Sequence, residues 1–222
     1  MGPPPSIAVL ITNRNDARYV GEAIDPVLCR VPAPVPVVVV DDASTDDSAS
    51  VLAGDGDRVA LVRPGGVGQG GAVTAGLPHR DADVVICLDA DDRLLPRALA
   101  RVGRAFAVRP RPVRVHYPLR VIDADGRPTG ETRPHPPLRL PAGDLAPGTL
   151  ASPFDAPRAG MSGDAFARAT LEPLMPVPDR FADGYPVHAS SLYGPVGAVG
   201  DALGEYRVHG ANAYGAGDGS LD

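Results

Sequence analysis

At 222 residues the chain is long enough to bury a substantial core, and its formal charge of −6 argues against a nucleic-acid binder that works by neutralising phosphates. All 21 basic residues are arginine, which excludes Schiff-base lysines, the Gly-Lys-Ser/Thr phosphate loop and every lysine-activated nucleophile. The two cysteines, Cys29 and Cys87, are too few for a disulfide framework and are expected as buried thiols. No apolar run approaches the roughly 18 residues of a membrane span, and no signal-type N-terminus is present, so a soluble cytoplasmic protein without a transmembrane segment is expected.

From the N-terminus, short apolar runs alternate with amphipathic stretches, the pattern of βαβ units and a parallel sheet. Strands are predicted at 7–11, 35–40, 59–62 and 84–88, with helices at about 17–28, 48–52, 71–77 and 96–108. Asp46 or Thr45 is placed to cap the second helix, and Pro96 fits the first turn of the fourth. Right-handed crossovers would bring the strand C-termini to one edge, the expected ligand site.

Beyond residue 108 the composition turns rich in Pro and Arg. Two strands, 113–117 and 119–123, precede a turn at Asp125-Gly126 and a long irregular stretch, of which 128–157 is expected to be a mobile element over the site that orders on donor binding. Helices are expected at 163–171 and 186–192, a strand at 203–208, and a frayed Gly-rich tail after Tyr214.

The chemistry concentrates where apolar strands run into acids. Val84-Val85-Ile86-Cys87-Leu88 leads to Asp89-Ala90-Asp91-Asp92, and Val37-Val38-Val39-Val40 leads to Asp41-Asp42-Ala43-Ser44-Thr45-Asp46. Carboxylates packed together raise one another's pKa and repel unless donors or a hard cation neutralise them, and oxygen ligands suit Mg²⁺ or Mn²⁺.

Four segments in order resemble the inverting glycosyltransferases of the GT-A fold grouped as family 2. They are Ala8-Val9-Leu10-Ile11-Thr12-Asn13-Arg14-Asn15, Val39-Val40-Asp41-Asp42-Ala43-Ser44-Thr45-Asp46, Leu88-Asp89-Ala90-Asp91-Asp92 and Tyr206-Arg207-Val208-His209-Gly210-Ala211-Asn212. The resemblance implies a Rossmann-like, mostly parallel sheet flanked by helices, in one domain. Residues 1–108 would form its nucleotide-sugar half and 109–222 an irregular acceptor-binding half. It implies transfer of a sugar from a nucleotide-sugar donor, a UDP-sugar by family habit, to a carbohydrate or other hydroxyl-bearing acceptor. Thr12, Asn13, Arg14, Asp42, Gly70, Asp89 and Asp91 would contact the nucleotide. Asp91, Asp92 and His209 would hold Mn²⁺ or Mg²⁺, with Arg207 a second phosphate contact. Inverting transfer also needs a general base. The matching position falls at Asp183, a lone acid where the family often has two, with Asp164 and Asp179 as competitors.

Two rival readings compete with this one. Gly66-Val67-Gly68-Gln69-Gly70-Gly71 fits the G-x-G-x-x-G fingerprint of an NAD(P)-dependent oxidoreductase, with Asp89 about twenty residues on, although it would begin at the third βα unit and leave the other acids without a task. The other rival is a module that binds nucleotide-sugar without turning it over.

Overall fold

Strands that are apolar on both faces need cover on both faces, and the chain supplies it with helices between the strands. The computed structural model describes residues 5–29, 35–79, 81–152, 157–210 and 212. Its first half runs β1 (Ile7–Asn13), α1 (Val20–Cys29), β2 (Val37–Asp41), α2 (Ser48–Ala53), β3 (Ala60–Val62), α3 (Gly68–Gly76), β4 (Val84–Asp89), β5 (Arg93–Leu94) and α4 (Ala98–Phe106). There follow β6 (Arg114–His116), β7 (Leu119–Ile122), β8 (Pro128–Arg133), α5 (Ala146–Ala151), β9 (Asp164–Ala167), α6 (Arg168–Leu171), α7 (Gly184–Ser190), β10 (Val196–Ala198) and β11 (Gly204–Arg207).

Seven strands form the main sheet in the order β10-β6-β9-β4-β1-β2-β3, and β5-β11-β7-β8 form a second, smaller sheet. Neighbours in the main sheet are parallel except β9, which runs against both β4 and β6. The parallel register sets Thr12 beside Asp89 and Asn13 beside Asp41, so these strand ends share one edge. Because β9 is reversed, its beginning arrives at that edge instead, bringing Ser162 and Asp164.

Alternation along the strands divides the core. Val9, Ile11, Val37, Val39, Ile86 and Leu88 face one layer with α1 and α4, while Leu10, Val38, Val40, Val85 and Cys87 face α3 and α7. On that second face Gly76 lets α3 approach closely, since a Cβ there would lie 2.6 Å from Val40 Cγ2.

Several expectations need correction. The helix predicted over 163–171 is strand β9 followed by the short α6. The position between β4 and β6 offers pairing on both edges and burial on both faces, which outweighs the helical preference of its two alanines. The stretch after Asp125-Gly126 is less irregular than expected: the turn folds β8 back on β7, and α5 lies further along. Its segment 153–156 and the tail after Tyr214 lie outside the described residues. Strand β10 carried no usable signal. Pro96 precedes α4 rather than opening it. Cys29 is exposed at the end of α1, and only Cys87 is buried. Among the described residues no helix is long and apolar enough to cross a membrane.

Between β6 and β9 lies a buried ion pair, Arg114 Nη1 to Asp164 Oδ1 at 2.5 Å, whose guanidinium also meets His116 Nδ1 at 3.1 Å. Removing one member of such a pair strands the other charge in the core. Arg114→Met should therefore cost about 3–5 kcal/mol in urea denaturation, and Asp164→Asn added to it should restore part of the loss.

Candidate active site

Asp89, Asp91 and Asp92 stand at the end of β4 and differ in what they touch. Asp89 Oδ1 accepts from Thr12 Oγ1 at 3.2 Å and Gln69 Nε2 at 3.0 Å, while its backbone N–H donates to Ser162 Oγ at 3.0 Å. Asp91 Oδ2 lies 3.1 Å from His209 Nε2 and accepts from Asn212 Nδ2 at 3.1 Å. Asp92 is 1% exposed; its Oδ1 accepts the Arg207 N–H at 2.8 Å, and its Oδ2 is buried with no hydrogen-bond partner among the described residues.

The electrostatics follow from this crowding. Burial raises Asp89 well above the ordinary carboxylate range, and the charges of Asp183 and Asp91 push it further. Burial likewise raises Asp92, with Asp91 and Asp89 adding to it. Asp183, at the N-terminus of α7, is lifted to about 6, chiefly by burial; Arg158 opposes the rise and Asp164 adds to it. Its Oδ1 is buried and has no hydrogen-bond partner among the described residues. Asp16, which the sequence reading passed over, is also raised to about 6, by burial first and Asp91 second. Nothing in its sequence context separates it from a solvated turn acid.

The competitors of Asp183 have other tasks. Asp164 is held by Arg114 in the core, and Asp179 is an exposed residue packed against Gly68.

Asp42 has an unexpected set of partners. Its Oδ1 accepts from the N–H groups of Gly66 at 2.8 Å and Val67 at 2.7 Å, and its Oδ2 accepts from Gly68 at 2.8 Å. Val67, the residue before α3, has no side chain that can cap, so a carboxylate from the end of β2 neutralises the positive end of the helix. The N–H groups that a dinucleotide-binding turn would aim at pyrophosphate are thus taken by an internal acid, which removes the local basis of the oxidoreductase reading. Gly66 and Gly68 have φ of 88° and 74°, a conformation that favours glycine. Gly70, expected among the nucleotide contacts, packs against the segment that leads to α7. It is buried, and a Cβ on it would stand 2.6 Å from the carbonyl oxygens of Val177 and Pro178.

The remaining expected contacts sort as follows. Thr12 supports Asp89, and buried Asn13 donates to Asp41 Oδ1 at 3.0 Å and Ser44 Oγ at 3.1 Å. Arg14 is exposed in the loop beyond β1. Arg207 is no phosphate contact: it is 0% exposed, and its guanidinium donates to Asp91 O at 2.8 Å, Ala124 O at 3.2 Å and Glu22 Oε2 at 2.7 Å. Asp92, expected as a metal ligand, is buried with one carboxylate oxygen on the Arg207 N–H of β11 and the other without a hydrogen-bond partner among the described residues.

A divalent cation still fits the crevice in part. Among the described residues no group of three His, Cys, Asp or Glu side chains could hold a metal, but Asp91 and His209 stand together and partly exposed. Two protein ligands suit a cation that takes its other ligands from phosphates and water.

A mostly parallel sheet with acids at its strand ends is the arrangement of GT-A glycosyltransferases, and the comparisons agree. The family model described as glycosyl transferase family 2 matches residues 6–132, and the chain belongs to that family. An uncharacterized glycosyltransferase of Nostoc sp. is 33% identical over 216 residues, covering 94% of this chain and 66% of its own length. S. aureus TarS in complex with UDP-GlcNAc superposes with a TM-score of 0.69 at 14% identity, over 93% of this chain and 60% of that one. The mannosyltransferase PcManGT from Pyrobaculum calidifontis, with GDP-Man and Mn²⁺, gives 0.67 at 19% identity, over 94% and 59%. The chain therefore spans about two thirds or less of the length of these relatives.

The Asp42 clamp is open to direct test. Asp42→Asn keeps an acceptor for Gly66 and Val67 but turns an amide N–H₂ toward the Gly68 N–H, and should cost about 1–3 kcal/mol of unfolding free energy in urea.

Proposed function

We propose that this chain transfers a sugar from a nucleotide-sugar donor to an acceptor hydroxyl by single displacement with inversion. Asp183 is its general base, and Asp91 and His209 hold a divalent cation. The supporting observation is Asp183: a half-buried carboxylate whose charge acts on Asp89, with one buried oxygen lacking a partner among the described residues and a pKa lifted to about 6. Such a group is ionised at neutral pH yet basic enough to take a proton in the transition state.

In this reading residues 1–108 form the donor half of the domain and the remainder contributes the base and the acceptor pocket. As the acceptor oxygen attacks the anomeric carbon, Asp183 takes its proton. The bond from that carbon to the diphosphate oxygen breaks on the opposite face. Mn²⁺ or Mg²⁺, when bound, offsets the charge on the departing diphosphate. Asp89, braced by Thr12 and Gln69, sits beside the donor, and Asp92 keeps Asp91 in place by anchoring β11. A UDP-sugar is the proposed donor, by the family resemblance and the UDP-GlcNAc seen in the TarS neighbour.

Calorimetric titration with UDP, GDP, dTDP and NAD, with and without Mn²⁺, tests the donor site. One nucleoside diphosphate should bind only with metal, and Asp91→Ala or His209→Ala should abolish that binding. Metal-independent binding of NAD would defeat the proposal.

The base is tested by release of nucleoside diphosphate from UDP-GlcNAc or GDP-mannose with Mn²⁺. Asp183→Asn should lower turnover at least about 100-fold with nucleotide affinity unchanged. Turnover of the unaltered chain should fall as pH drops through about 6, because only the ionised carboxylate accepts the proton. A variant that keeps its turnover removes Asp183 from the role.

A further inference from the structure

Three arginines near the acids of β4 are committed to protein partners. Arg207 serves Asp91, Ala124 and Glu22, Arg93 serves Glu22, Glu205 and Gly126, and Arg114 is held by Asp164 in the core. Arg133, the last residue of β8, differs from them. Its guanidinium lies over the Tyr206 ring, 3.8 Å from the centroid, and among the described residues it makes no ion pair and no side-chain hydrogen bond. Both side chains are partly exposed.

Strand pairing carries this stack to the crevice. Arg133 stands opposite Leu119 and Leu119 opposite Gly204, so all three share one face of the small sheet with Tyr206, two residues beyond Gly204. Leu119 packs between the small sheet and the turn that opens β9: a Cβ on Gly204 would lie 2.7 Å from its Cδ2, and one on Gly163 would lie 3.7 Å from its Cδ1. Gly163 follows Ser162, whose Oγ accepts the Asp89 N–H, and Tyr206 precedes Arg207, whose N–H is donated to Asp92. The stack therefore borders the β4 terminus from the β9 side. Asn13 and Asp41, at the ends of β1 and β2, lie on the other side of β4, which is the donor side in the proposed reading.

A guanidinium held over an aromatic ring gains from the π-face without using its N–H groups, which stay available as a fork for a carboxylate or phosphate. The ring also restrains a long side chain, so less freedom is lost when an anion binds. In the proposed reading the diphosphate of the donor is met by the cation at Asp91 and His209. A separate positive charge on the acceptor side answers to a separate anion.

We propose that Arg133, supported by Tyr206, binds an oxyanion carried by the acceptor, a phosphate or a carboxylate, and so selects acidic acceptors over neutral ones. Assignment of that anion to the acceptor rests on the transfer reading.

The test follows the Arg133 Nε–H resonance in the ¹⁵N-labelled whole chain, assigned by its loss in Arg133→Gln. Glycerol 3-phosphate or glucuronate should shift it saturably, the more effective of the two telling phosphate from carboxylate, whereas glycerol and sodium chloride at matched ionic strength should not. Tyr206→Leu should weaken the anion about threefold or more. Saturating UDP with Mg²⁺ should leave the titration within about twofold of its course without nucleotide. No saturable shift with either anion overturns the proposal. Competition by UDP would give Arg133 to the donor diphosphate and overturn it as well. Failure of the chain to bind nucleotide or to release nucleoside diphosphate would defeat the transfer reading alone, because the anion titration needs neither.

Discussion

A buried guanidinium holds the crevice together. Arg207 touches Asp91, Ala124 and Glu22 with its side chain, gives its backbone N–H to Asp92, and lies 4.5 Å from the ring centroid of Tyr19. Through that one residue the small sheet, the β4 terminus and α1 share a fixed geometry. Tyr19 in turn packs on His209 at 5.0 Å between centroids, and His209 faces Asp91. Lysine could not replace it: the contacts diverge in one plane, and only a guanidinium offers donors in that fork. The price of the arrangement is that Arg207 has nothing left to offer a phosphate.

A second constraint concerns negative charge that the protein neutralises for itself. Asp42 lies against the N-terminus of α3 much as a bound anion would, with three backbone donors at hydrogen-bonding distance. A carboxylate buried to that degree costs several kcal/mol unless donors replace the lost water, and this one has them. The turn is thereby set without a ligand. The acids at the end of β4 differ: Asp89 and Asp92 are raised and crowded, and Asp92 keeps an oxygen without a partner among the described residues. One acidic cluster is closed by backbone and the other stands open, which is where a cation has electrostatic reason to bind.

The first half of the fold was legible because its strands are continuous apolar runs with turn residues between them, and the acids at 41–42 and 89–92 fall at their ends as expected. Reading failed where tertiary pairing decides. Asp164-Ala165-Phe166-Ala167 carries no strand pattern of its own and becomes β9 only through β4 and β6 on either side. Roles within the site were less legible than its location. Nothing in the string Asp89-Ala90-Asp91-Asp92 tells which carboxylate points into the crevice and which toward β11, because a single residue of advance at a strand end reverses the face. Gly66 to Gly71 satisfied a spacing rule for a different reason, close packing of α3 against 177–179 together with a carboxylate cap from 42.

How firmly the base is held depends on the entry to α7. Phe181 has φ of 70°, a conformation that costs a bulky residue about 1–3 kcal/mol and persists only when its surroundings enforce it. They do so from three sides. Its ring presses on the Cα of Gly184, where a Cβ would lie 1.9 Å from Cζ; it stacks on His188 at 5.8 Å and 7°; and Arg158 sits 5.5 Å from its centroid. Arg158 is also the charge that opposes the rise of Asp183. The strained turn, the aromatic stack and the counter-charge therefore act on one short segment, and Asp183, two residues past the strain, inherits a position set by that packing. A base fixed in that way keeps an oxygen free for a proton, which a carboxylate fixed by donors, as Asp42 is, could not do as well.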